Sequence, residues 1–308
     1  MGASVAVTER WPDGSLLIAA LDPAIHLLRN NLIAKNRQSL VLGLTELAML
    51  SRMKPDNSSR YAGAAQPSPA PAVSPGVAIG AMIGLVLPTI ATWVYFVLAA
   101  DDPEGVQRAI GLATKFAQFV FPIIWVRFAL KERIQLPPAR FSGVPLGLLF
   151  AVAITLSGWT IFEQFLRDSS TFAAAIQPIR EKVAGFGLDS PEKYVALGVL
   201  YSLVHSLLEE YYWRWFVFGQ LLRVLPIWLA ISVSAVGFAA HHVIILATFF
   251  GWASWQTVLF SVAVAAGGGF WAWLYQRTGS LVGCWLSHLV IDAGIFAIGY
   301  HLLRTMWT

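Results

Sequence analysis

Seven long apolar runs dominate the chain, at roughly 76–100, 109–130, 143–166, 194–218, 226–250, 255–276 and 280–303. Each is long enough to cross the ~30 Å hydrocarbon layer of a bilayer at ~1.5 Å per residue. The fold class that follows is all-α, a polytopic transmembrane helical bundle of about seven spans. Composition agrees. Of 308 residues, 57% are hydrophobic and 12% charged, where a soluble domain carries about 25% charged residues. A soluble enzyme, a disordered chain and a coiled coil are thereby excluded. The lone Cys excludes an intramolecular disulfide and a Cys-based metal site. A formal net charge of +4 is too small to read as a nucleic-acid footprint. The expected surroundings are a lipid bilayer, with no nucleic-acid partner.

Prolines and polar caps punctuate the runs. Pro88, Pro122 and Pro145 kink the first three or mark their starts. Between runs three and four, Phe172, Ile176, Ile179 and Val183 recur at helical spacing around Arg180, Glu181 and Lys182. That pattern predicts an amphipathic helix in the interface over 170–187. Asp189-Ser190-Pro191-Glu192 then offers a cap, a first-turn proline and an acid at the positive dipole end. Upstream, residues 1–60 read as a peripheral segment with surface or interfacial helices at 16–33 and 40–50. Met53 is a second candidate start. Residues 61–75 read as a flexible Pro/Ala-rich linker, and 76–308 as the membrane domain. With seven spans, Lys and Arg divide thirteen to six between the two sides. The N-terminus is therefore expected on the cytoplasmic side.

Chemistry concentrates near the C-terminus. From Tyr194 onward there are three acids, Glu209, Glu210 and Asp292, all inside spans. Five of the six histidines lie there too: His205, His241, His242, His288 and His301. An ionisable group at membrane depth costs roughly 2.5–3.5 kcal/mol unless paired or facing water. Glu210 and Arg214 are i,i+4 and form a pair on one helix face. Glu209 points about 100° away, on the face of His205. His205 either bonds Glu209 or lines the cavity. Phe238 and His242 are i,i+4, as are His288 and Asp292. Three helices thus present polar faces at similar depth, with the catalytic motifs in 190–303. A carboxylate in such a cavity takes a proton from water. His242 fixes the same water, and His288 donates to the oxyanion formed on a carbonyl. The constellation fits amide hydrolysis without a serine, a cysteine or a required metal. A zinc ion on Glu209, His242 and His288 is the minority alternative. His241 faces elsewhere and reads as packed or interfacial, His301 as snorkelling or interfacial, and Cys284 and Gly267-Gly268-Gly269 as aids to close helix packing.

The order Glu-Glu-xxx-Arg, Phe-xxx-His, His-xxx-Asn/Asp on successive spans resembles the type II CAAX prenyl endopeptidase family, with its bacteriocin-processing and immunity (Abi) members. Here the match is Glu209-Glu210…Arg214, Phe238…His242 and His288…Asp292, over about 190–303. The resemblance implies an intramembrane glutamic endopeptidase with Glu209 as base, assisted by His242. Oxyanion binding falls to His288 and Asp292, and Glu210, Arg214, Phe238 and His205 act in support. It implies no cofactor, a membrane-associated or lipid-modified peptide or protein as substrate, and a place in a bacterial inner (cytoplasmic) membrane. The motif often ends in Asn where this chain has Asp292, which donates to an oxyanion only when protonated. Two other classes compete. One is a non-catalytic immunity or scaffold protein that sequesters a peptide. The other is a proton-coupled transporter, which predicts internal repeats that the spans lack.

Overall fold

The structure, a computed structural model, describes residues 74–307. The peripheral segment 1–60, its helices, Met53 and nearly all of the linker lie outside the described residues. Among the described residues, every regular element is a helix. Six are long and apolar enough to cross a membrane: α1 (Pro75–Leu98), α2 (Glu104–Ala129), α3 (Val144–Leu166), α6 (Ile227–Phe250), α7 (Trp255–Thr278) and α8 (Val282–Met306). Between α3 and α6 come the shorter α4 (Ser170–Gly185) and a long helical run, α5. The α5 run joins Pro191–Leu200, Tyr201–His205, Ser206–Glu210, Tyr211–Phe218 and Gly219–Leu221 end to end. It is the fourth predicted span. Glu209, Glu210 and Arg214 hold its hydropathy down, although it is long enough to cross.

The predicted boundaries sit close to the observed helices. α2 begins earlier than its apolar run, at Glu104, because Pro103 and an acid in the first turn start a helix before the lipid-facing residues do. At the head of α5, Ser190 Oγ accepts from Lys193 N at 3.4 Å, with Pro191 and Glu192 in the first turn. Lys193 also hydrogen-bonds Asp189 across 2.7 Å, which holds that exposed carboxyl below its ordinary range. Pro88 and Pro122 lie inside α1 and α2, whereas Pro145 marks the start of α3. α4 turns Phe172 and Ala175 inward, with Ile176, Ile179 and Val183 half-buried. Phe172 stacks on Phe250 at 5.6 Å, so the apolar stripe of α4 is seated on the end of α6.

α5 is the axis of the bundle. Tyr212, Trp213, Phe216, Val217 and Phe218 are fully buried in the main core, with Phe238 and Trp271 against them. Tyr212 Oη donates to Gly84 O of α1 at 2.8 Å, and Trp285 of α8 donates to Leu203 O of α5 at 2.9 Å. The outward faces are apolar: Leu112 is 75% exposed, Phe116 71% and Leu149 68%. A continuous exposed apolar belt of this kind is stable only against lipid.

Small residues set how closely α8 approaches α3. A Cβ on Gly283 would lie 2.8 Å from the Gly143 carbonyl carbon, and one on Gly147 would lie 2.5 Å from Gly283 O. Gly268 likewise touches Phe238 and Ala235 of α6, as the sequence suggested for the glycine run. The α3–α8 crossing lies next to His288, one turn further along α8. Because backbone meets backbone there, Gly283→Ala has to push the helices apart. We expect a loss of about 1–3 kcal/mol, read as an earlier melting transition in detergent. Ala at Gly158, which meets nothing within 4 Å, should leave that transition in place.

Candidate active site

Glu209 and Glu210 sit in a single α-helical turn, Ser206–Glu210, between two π-helical stretches. π-turns shift the helical register and recur at functional sites. Within the turn, adjacent positions differ by about 100°, so the two carboxylates meet different partners. Glu209 Oε1 lies 3.3 Å from His205 Nε2 and 3.7 Å from His241 Nε2, and Oε2 lies 3.9 Å from His288 Nε2. Glu210 Oε2 lies 2.9 Å from Arg214 Nε, and both side chains are wholly buried. The face separation expected from sequence is therefore present, and His205 contacts Glu209.

Glu210 has a second partner, which the i,i+4 pattern did not reveal. His288 Nδ1–H donates to Glu210 Oε1 at 2.9 Å. One carboxylate thus holds Arg214 on its own helix and His288 on α8. The guanidinium lies over two rings, 4.9 Å from the Phe238 centroid and 5.3 Å from that of Trp271. Those π-faces supply much of what water would supply outside the protein. Trp271 also stacks on the His288 ring at 4.3 Å. His288 Nε2 stays free to act, 3.5 Å from Asp292 Oδ1.

His242 Nδ1–H donates to Phe238 O at 2.9 Å, which leaves Nε2 as its acceptor. Phe238 thereby fixes the tautomer of His242 with its carbonyl, and its ring packs edge-on against His288. Glu209, His241 and His242 each offer a ligand atom within 4.8 Å of the others. The structure thus gathers Glu209, His242 and His288 into one place. It also brings in Asp292 beside His288, with Glu210, Arg214, Phe238 and His205 around them.

His241 corrects the sequence reading. It was expected to face away from the site, yet it is buried beside Glu209, stacked parallel on Trp213 at 5.8 Å. Both of its ring nitrogens lack a hydrogen-bond partner. Adjacent positions on a helix differ by about 100°, and a site reached from two sides accepts both. No spacing rule marks this in a single sequence. His301 is remote from the cluster, against Trp159 and Phe162. The Cys284 thiol is occupied with Trp271 O at 3.3 Å. Among the described residues, the side chains whose ligand atoms converge closely enough for a metal are Glu209, His241 and His242, not the set of Glu209, His242 and His288. A carboxylate and two imidazoles form a donor set that zinc accepts.

A comparison with known proteins bears on the same helices. Residues 191–294 match the family model of Type II CAAX prenyl endopeptidase Rce1-like proteins. The match covers about a third of the 308-residue chain and runs from the start of α5 into α8, across every motif of the site. This segment is therefore similar to a family of membrane peptidases. Neither a curated protein nor a solved structure matches the chain.

The Glu210–Arg214 pair generates a stability prediction. Glu210→Gln strands a buried guanidinium, which should cost about 3–5 kcal/mol. Arg214→Met leaves the carboxylate with His288 as its remaining partner and should cost less. The double variant removes both charges and should recover most of the loss, which melting curves in detergent will show as a strongly non-additive cycle.

Proposed function

We propose that the protein is an intramembrane endopeptidase that hydrolyses a peptide bond in a membrane-associated or lipid-modified peptide. The observation that carries the reading is the convergence of Glu209, His242 and His288 from α5, α6 and α8 at a depth where unpaired polar groups are costly. The family match over the same helices supports it.

In the proposed reaction, a water lies between Glu209 and His242 Nε2. Glu209 takes its proton as the water oxygen attacks the scissile carbonyl carbon. The carbonyl π-bond opens, and the new oxyanion accepts from His288 Nε2–H. Glu210 and Asp292 flank His288, so its imidazolium has a counter-charge on each side. In this arrangement Asp292 acts through His288, where an Asn would donate to the oxyanion directly. When the C–N bond breaks, Glu209 returns the proton to the leaving amine. A zinc ion held by Glu209, His241 and His242 would polarise the same water. The reaction as proposed needs only the side chains. The proposed setting is a bacterial inner membrane with the N-terminus on the cytoplasmic side, a reading that the Lys/Arg bias supports.

Two measurements test this. Glu209→Gln should melt like the parent and cleave at least 100-fold more slowly. A variant that cleaves normally would remove the base, and with it the mechanism. A peptide-sequestering protein would also keep its function after this change. Separately, purified protein should retain cleavage after exhaustive treatment with phenanthroline. Loss that is restored by added zinc would transfer the water to a metal on Glu209, His241 and His242.

A further inference from the structure

The two ends of the bundle are charged differently. At one end α2 and α7 finish, α3 and α8 begin, and α5 leads into α6. Among the described residues, that end carries six cations and a single carboxylate, Glu132. Arg223 takes Glu132 in a two-pronged pair at 2.8 and 3.1 Å. Arg127, Lys131, Arg133, Arg140 and Arg277 are exposed, with no ion pair among the described residues. At the opposite end six cations stand among eight carboxylates. There Arg108, Arg167 and Lys193 each face a carboxylate four residues away.

Most of the unpaired cations belong to one strap. Residues 131–141 join α2 to α3 without a helix, and the chain leaves α2 through Lys131 at φ 56°, a region that lysine rarely adopts. The strap is tied across the end of the bundle. Trp215 of α5 donates to Gln135 O at 2.8 Å, and Glu132 holds Arg223 beyond the end of α5. Arg140 N donates to Ser280 Oγ at 3.0 Å, and Ser280 Oγ donates to Arg140 O at 3.1 Å. The Arg140 side chain therefore reaches the α7–α8 turn, where a Cβ on Gly279 would lie 3.9 Å from its Nη1. Arg277 stands in the last turn of α7, beside the same turn.

Large apolar side chains alternate with these cations. Phe128, Ile134, Leu136 and Phe141 are all exposed. A purely aqueous partner, such as a nucleic acid or an acidic protein, would leave them unmatched. At the level where the spans end, a membrane supplies both halves of a match. Acyl chains take the apolar groups, and phosphates take the guanidinium groups in charge-assisted hydrogen bonds.

We infer that this end of the bundle binds the headgroups of anionic phospholipids, with the 131–141 strap and the α7–α8 turn as the binding surface. The inference does not depend on the peptidase reading. Because the strap is fixed through its backbone and through Glu132, the cations are presented before the lipid arrives.

Lipid retention tests it. Full-length protein in detergent is equilibrated with equimolar phosphatidylglycerol and phosphatidylcholine and separated from free micelles. The retained lipid is then quantified by mass spectrometry. Parent protein should retain phosphatidylglycerol about fivefold over phosphatidylcholine, the effect of a single Lys or Arg at an anionic surface. High salt should bring the ratio toward one. This comparison uses the parent alone, so it stands whether or not a variant folds. Gln at Arg127, Lys131, Arg133, Arg140 and Arg277 should abolish the preference at low salt, whereas Lys at the four arginines should keep it. Gln at Arg108, Arg167 and Lys193 should leave it unchanged. Equal retention of the two lipids by the parent, or a preference that survives the five Gln substitutions, overturns the inference. So does an equal loss from the substitutions at the opposite end. Loss of the preference in excess inorganic phosphate would make this a site for free phosphate and would also overturn it.

Discussion

Glu210 is the residue on which the centre of the molecule depends. Its carboxylate is fully buried and faces two donors at once, Arg214 on its own helix and His288 on α8. A buried charge without partners costs several kcal/mol. The bundle therefore brings α5 and α8 into the one register in which both partners are reached. That register places the other nitrogen of His288 over Glu209. The pair that holds the helices together and the group that acts on substrate are neighbours in sequence, 209 and 210, turned apart by helix geometry. Packing follows from this. Phe238 and Trp271 enclose Arg214 with their faces, and through ring contacts and one carbonyl they also orient His288 and His242.

Much of this was legible in the sequence, and the physical reason differs from one feature to the next. Spans were legible because a bilayer imposes one length and one polarity on every crossing helix. The helix caps at Ser190 and Pro191 were legible because capping is local chemistry. Charged groups at membrane depth are rare and costly, so Glu209, His242, His288 and Asp292 stood out against an apolar background. What stayed hidden was pairing between helices. Glu210 has an obvious partner four residues away and gives no sign of a second one 78 residues away. His241 looked redundant beside His242, and only the approach of α5 makes both face the carboxylate. The glycines at 143, 147 and 283 were likewise silent, because a close crossing is a property of two helices and not of either one.

Position within the bundle also explains why the charges are arranged in layers. Arg214 lies on the far side of Glu210, sealed by rings, and serves the scaffold. Lys115 of α2 is half-buried, with its Nζ over the Phe119 ring.

The central claim is that water, held by a carboxylate, is the nucleophile, with no covalent bond to the protein. Hydroxylamine partitioning measures this directly. Purified protein is given a peptide that it cleaves, with hydroxylamine present, and the new C-terminus is read by mass spectrometry. Attack by water yields the free acid alone at every hydroxylamine concentration. A hydroxamate that grows with hydroxylamine would reveal an acyl-enzyme on a protein side chain and would contradict the account.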